Sequence, residues 1–141
     1  MNTDLTVFAD FEQIRTPVDT LQKLCKQAGV PEDILGQVEL AMQELLTNQV
    51  EHAYENNSKG IIEIHFEVDK ANIMIQSEDG GLEATFDLGS VKMPDPSSLA
   101  EGGYGMAIIK GLMDEVSYHR LNGKNIWKLK KHYVNSGSRT G

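Results

Sequence analysis

Three residues spaced by four, Glu44, Asn48 and His52, carry the side chains in this sequence best suited to chemistry. On a helix each is displaced from the last by only about 40° around the axis, so they form one polar column. Val38, Met42, Leu45 and Ala53 lie beside that column, on the face that must enter a core. Polar groups bordering a buried stripe are costly unless they are paired or face a ligand. The column is therefore either a satisfied network at the core edge, a solvated flank, or the wall of a cavity. The side chains suit a cavity: a carboxylate can take the proton of a hydroxyl or a water, and an amide oxygen is a hard neutral ligand for Mg²⁺.

Two further motifs have chemical potential. Asp79-Gly80-Gly81 closes a segment in which Ile73, Ile75, Ser77 and Asp79 recur at period two, so the Asp79 carboxylate should share their inward face. There it can accept a hydrogen bond from an exocyclic amine, while the glycines let a planar ligand approach the backbone. Alone, Asp-Gly at a strand end reads equally as a turn. Gly102-Gly103-Tyr104-Gly105 ends a long irregular stretch and opens a helix. Glycines ahead of a helix N-terminus expose N–H groups under a favourable dipole, which suits phosphate. No Gly-Lys-Ser/Thr follows, and no strand immediately precedes, so neither a Walker loop nor a dinucleotide fingerprint is present.

The elements that must hold these residues follow from periodicity. Residues 5–11 read as a strand and 17–28 as a helix, with Pro17 in its first turn and Gly29 just past its end. A second helix, the longest, should run from about Pro31 to about Glu55, where Asn56-Asn57-Ser58-Lys59-Gly60 breaks it. Residues 61–68 and 72–78 alternate strictly and predict a hairpin. From Gly80 to Gly103 no pattern survives, and a loop of that length in a compact domain is usually functional. Met106, Ile109, Leu112 and Met113 then predict a third helix, and 115–121 with 124–132 a second hairpin about Asn122-Gly123. The β-α-α-β-β-α-β-β order predicts an α+β fold, a two-layer sandwich with about three helices on one face of a mostly antiparallel sheet. One domain over residues 1–134 and a disordered tail at 135–141 complete the expectation.

Composition narrows the function. The chain has 141 residues and a net charge of −8, which argues against nucleic acid as a partner. Lys128, Lys130 and Lys131 alternate with Trp127 and Leu129, as on the solvent face of a strand. No apolar run is long enough to span a bilayer, and the acidic N-terminus is unlike a signal peptide, so a cytoplasmic location is expected. Cys25 is the sole cysteine, and the histidines at 52, 65, 119 and 132 show no metal-ligand spacing.

Taken in order, Glu-x-x-x-Asn-x-x-x-His, a strand ending in Asp-x-Gly and a loop ending in Gly-x-Gly before a helix resemble the ATPase superfamily shared by gyrase, heat-shock chaperones, sensor histidine kinases and mismatch-repair proteins. The resemblance spans roughly residues 5–133. Glu44-Leu-Leu-Thr-Asn48, Glu51-His52-Ala53-Tyr54, Phe86-Asp87, Pro94-Asp95-Pro96, Gly103-Tyr-Gly105-Met-Ala-Ile-Ile and Leu112-Met113-Asp114-Glu115-Val116 are similar to the stand-alone anti-sigma factor serine/threonine kinases of bacterial partner-switching systems. That resemblance implies a histidine-kinase-like ATPase fold that uses ATP and Mg²⁺. It implies that Glu44 is the catalytic base toward a substrate serine, that Asn48 is the metal ligand, and that His52 supports the phosphate side. Asp79 would read the adenine amine, with Gly81 allowing close approach. Gly103 and Gly105 would hold the phosphates as a lid closes, with Tyr104 and Met106 in the same nucleotide-binding stretch.

The implied phosphoacceptor is an anti-anti-sigma factor, the competing partner is a sigma factor or other output protein, and the implied assembly is a homodimer joined through the first strand and helix. Two departures stand out. Kinases of this kind often carry an arginine in the lid, where this chain has Glu101, Gly102 and Tyr104, and a threonine near the start of the last strand, where it has Asn125-Ile126-Trp127. A non-catalytic ATP-binding adaptor that sequesters or activates a protein such as a phosphatase is the alternative reading.

Overall fold

The computed structural model describes residues 1–53, 60–83 and 105–134, with the side chains of His52 and Ala53 outside that description. The expected loop beyond Glu83, the lid residues Gly103 and Tyr104, and the expected tail lie outside the described residues. In chain order the elements are β1 (Asn2–Phe8), a 3₁₀ turn (Phe11–Ile14), α1 (Arg15–Ala28), α2 (Glu32–Asn48), a π-helical turn (Gln49–Ala53), β2 (Ile61–Val68), β3 (Asn72–Asp79), α3 (Gly105–Leu112), β4 (Glu115–Leu121) and β5 (Lys124–His132).

The strands form one antiparallel sheet in the order β1-β2-β3-β5-β4. Alternation decides which face is dry. Ile62, Ile64, Phe66 and Val68 of β2, Ile73 and Ile75 of β3, and Trp127 and Leu129 of β5 are buried. They pack with Val18, Leu21, Leu24 and Cys25 of α1 and with Val38, Met42, Leu45 and Leu46 of α2 in one hydrophobic cluster. Burying each large apolar side chain contributes about 1.5–3 kcal/mol, so this shared face is what fixes the helices on the sheet. The fold class is the one the sequence predicts.

Several boundaries differ, β1 beginning at Asn2 rather than at residue 5 and β3 running one residue further, to Asp79. The first strand ends at Phe8 rather than at Phe11, because the Asp10 side chain accepts from Glu12 N–H at 3.0 Å and turns the chain into the 3₁₀ segment. Phe11 is thereby placed on the surface while Ala9 remains buried. α1 starts two residues earlier than expected, at Arg15, and ends as expected on Gly29, whose φ of 82° is the left-handed conformation that glycine adopts without penalty. The second helix is not α-helical to Glu55. Its α-helical part stops at Asn48, and the chain widens into the π-turn over Gln49–Ala53. The Asn122-Gly123 hairpin forms as predicted, with φ of 52° and 76° at the two positions.

Two contacts set α3. Lys131, which the sequence pattern places on the solvent face, instead reaches Leu112 O at the end of α3 with its Nζ at 2.7 Å. A cation at a helix C-terminus is favourably placed against the dipole. Met106 and Ile109 anchor the other face of α3 in the core.

Candidate functional site

The four-residue step from Glu44 to Asn48 lies wholly within α2, so both half-buried side chains project from the same side of the helix. The N-terminus of α3 is laid directly on them. A Cβ added to Gly105 would sit 2.8 Å from Asn48 Nδ2 and 3.2 Å from Glu44 Oε2. A side chain at this position would push the ends of Asn48 and Glu44 aside, so glycine lets the start of α3 lie against a carboxylate and an amide. Met106, the next residue, is buried beneath this contact. Of the residues singled out from sequence, Glu44, Asn48, Gly105 and Met106 thus come together. The π-turn interrupts the strict four-residue step before position 52, and the His52 side chain lies outside the described residues.

The second part of the site is at the end of β3. Asp79 shares the inward face of Ile73, Ile75 and Ser77, as its parity requires, and is 2% exposed. A carboxylate so placed is tolerable only when donors surround it. Three do. Gly81 N–H donates to Asp79 Oδ1 at 3.0 Å, Asn125 Nδ2 to the same oxygen at 2.7 Å, and Gln49 Nε2 to Oδ2 at 2.8 Å. A carboxylate offers about four acceptor positions, so among the described residues one remains, on Oδ2.

Sequence reasoning passed over Gln49 and noted Asn125 only as a departure from the resemblance, with no role in the site. Asn125 is the Cα partner of Asp79 across the β3–β5 ladder and of Arg120 across the β5–β4 ladder. Its Nδ2 also donates to Leu82 O at 2.7 Å, and its Oδ1 accepts from Tyr118 Oη at 2.6 Å and Arg120 Nη1 at 3.0 Å. Arg120 Nη1 donates in addition to Gly81 O at 2.8 Å, bracing the turn after β3. Gln49 is buried, and its Oε1 accepts from Ser77 Oγ at 2.8 Å. Both had a signal. Gln49 stands four residues after Leu45 on the stripe Val38, Met42, Leu45, and Asn125 has the inward parity of Trp127 and Leu129. A polar residue at a core position announces a partner.

Other titratable groups stand apart from this site. Burial pushes the Cys25 thiol up to about 12, which makes it inert. On the outer face of the sheet, the hydrogen bond from His65 Nδ1 to Asp4 at 2.6 Å raises the imidazole above its ordinary value.

A half-buried carboxylate and amide at the start of a helix, together with a buried strand-end carboxylate, offer hard oxygen donors and an acceptor for an amine. The histidine kinase-like ATPase domain matches residues 7–131. The chain belongs to the histidine kinase-like ATPase family, among the serine-protein kinases named RsbW. Serine-protein kinase RsbW from Staphylococcus aureus strain MSSA476 is 33% identical over 92% of this chain and 94% of its own length, and that of strain JH9 is equally similar.

Solved structures share the fold at lower identity. The RsbU and RsbW domains of Rv1364c from Mycobacterium tuberculosis superpose with a TM-score of 0.67 at 20% identity, over 93% of this chain and 32% of that one. The SiaB-SiaC complex from Pseudomonas aeruginosa gives a TM-score of 0.62 at 12% identity, over 93% of this chain and 89% of that one. This family member therefore spans about a third of the mycobacterial protein and nearly all of the pseudomonad chain. Among its described residues, no helix is long and apolar enough to cross a membrane.

Proposed function

We propose that this protein is an ATP-dependent serine protein kinase of a partner-switching system, which phosphorylates an anti-anti-sigma factor and sequesters a sigma factor or equivalent output protein. The observation that carries the reading is the seat of Gly105 against the side-chain ends of Glu44 and Asn48, which an added Cβ would displace. Hard oxygen donors under helix N–H groups fit a Mg²⁺-bound triphosphate. When bound, Mg-ATP supplies the phosphoryl group. Glu44 would accept the proton of the substrate serine, Asn48 would ligate the metal, and Asp79 would receive the adenine amine on Oδ2. Gly81 would allow close approach of the base, and Gly103, Tyr104, Gly105 and Met106 would hold the phosphates with His52 in support. Phosphoryl transfer in such a site rests on positioning and charge stabilisation, so Asn48 should matter nearly as much as Glu44.

The sigma factor and the phosphoacceptor are read from the same resemblance, and so is a cytoplasmic homodimer. Among the described residues β1 pairs with β2 on one side and with no strand on the other, and it exposes Phe8 beside its Cα partner Ile61. Such an edge suits a second copy. The test is transfer of label from γ-labelled ATP to a candidate anti-anti-sigma protein. Wild type should transfer label, and Glu44→Gln should bind ATP yet transfer at least about a hundredfold more slowly. Equal transfer by the two would remove Glu44 from the chemistry, and ATP binding with no transfer by wild type would leave an adaptor instead of a kinase.

A further inference from the structure

Gln49 lies outside the roles so far assigned, yet it joins the two halves of the site. It follows Asn48 directly, but its amide points into the core, where it is 2% exposed and spans from Ser77 to Asp79. A carboxylate is an acceptor only, so it dictates that Nε2 faces Asp79 and that Oε1 faces the Ser77 hydroxyl. Ser77 in turn is fully buried and two residues before Asp79 on the same face of β3. The amide is thus held at both ends. We propose that Gln49 is a positioning residue that, through Asp79, sets the preference of this site for a 6-aminopurine over a 6-oxopurine. The proposal rests on the reading of Asp79 as the group facing the base.

Asp79 Oδ1 accepts from Gly81 and Asn125 and Oδ2 from Gln49, so among the described residues the acceptor position left for a base is on Oδ2. With Gln49 in place, the carboxylate plane is fixed and the open position accepts but does not donate. That position takes the 6-amino group of adenine and repels the 6-oxo group of hypoxanthine. Without Gln49, Oδ2 loses the donor that holds it among the described residues, and a rotated carboxylate no longer presents its acceptor to the 6-amino group. The π-turn that begins at Gln49 places this residue where α2 leaves regular geometry, a feature common at functional sites.

The experiment measures Mg-ATP and Mg-ITP dissociation constants by calorimetry for wild type, Gln49→Met, Ser77→Ala and Asp79→Ala, with thermal unfolding of each. Met keeps the volume of Gln49 and removes both hydrogen bonds. Wild type should prefer ATP by at least about tenfold, the usual scale of a hydrogen bond to a charged group. Gln49→Met should lower ATP affinity about tenfold and ITP affinity much less, so that the ratio collapses. Ser77→Ala, which leaves Asp79 untouched, should lower the ratio in the same direction by a smaller factor.

An unchanged ATP-to-ITP ratio in folded Gln49→Met, or an equal loss of both nucleotides, overturns the proposal. If Gln49→Met does not fold, Ser77→Ala decides, and an unchanged ratio there overturns it. Should Asp79→Ala bind ATP as wild type does, or wild type bind neither nucleotide, the base-site reading itself fails. Loss of preference in Asp79→Ala but not in Gln49→Met removes only the role of Gln49.

Discussion

Replacing Gly105 by alanine tests the contact on which the site is built. The new Cβ would lie 2.8 Å from Asn48 Nδ2, so that amide or the start of α3 must shift, and 3.2 Å from Glu44 Oε2, a tight contact that needs only a small adjustment. Overpacking of this kind costs about 1–3 kcal/mol. Against it stands the gain in helix propensity, at most about 1 kcal/mol and smaller at a first helical position. The net is a loss of about 1 kcal/mol, or roughly 3 °C in melting temperature for a chain of this size. Gly36 provides the internal control, since it lies within α2 and an added Cβ would meet nothing within 4 Å. Gly36→Ala should therefore stabilise by about 0.8–1 kcal/mol. Urea unfolding of both variants and calorimetric titration with Mg-ATP measure the difference, and Gly105→Ala should also bind ATP at least about tenfold more weakly because Asn48 is displaced. If Gly105→Ala stabilises as Gly36→Ala does and keeps wild-type ATP affinity, α3 is not seated on Glu44 and Asn48.

Further outcomes follow from individual groups. Cys25, buried and with its thiol pushed up to about 12, should not react with a thiol reagent in the native protein near pH 8 and should react fully in denaturant. His65 titrates above its ordinary value chiefly because of its hydrogen bond to Asp4, so its small stabilisation is complete below about pH 6.5 and is lost as pH rises through the raised value. An NMR titration should show that Asp4→Asn removes most of that shift. Gly123→Ala should destabilise the β4–β5 hairpin by about 1 kcal/mol although its surroundings are open, because φ there is 76°. Thermal unfolding measures that loss.

The centre of the sheet was legible because β2 and β3 obey one rule. In Ile61–Val68 and Asn72–Asp79, inward and outward residues alternate without a break, and the second face is polar enough to be wet. The same parity placed Asp79 correctly inside. The limits of legibility have physical causes. Val7, Ala9 and Phe11 continue a strand pattern past the point where the Asp10 side chain turns the chain. A π-turn differs from an α-turn by one step of hydrogen-bond register, which apolar periodicity does not report. Gln49 and Asn125 occupy positions that the stripe and the alternation mark as core. Their polarity made them look like breaks in the pattern, when they are the partners that let Asp79 be buried at all.

The central claim is that Mg-ATP is held between the Glu44–Asn48 pair and Asp79. Its most direct test is the Mg-ATP dissociation constant of wild type set against those of Asn48→Ala and Asp79→Ala, each verified as folded. The account predicts at least about tenfold weaker binding for either substitution, the loss of a metal ligand in one case and of the base's acceptor in the other. Wild-type affinity in both folded variants would contradict it and return the buried carboxylate and the polar column to the role of a structural network.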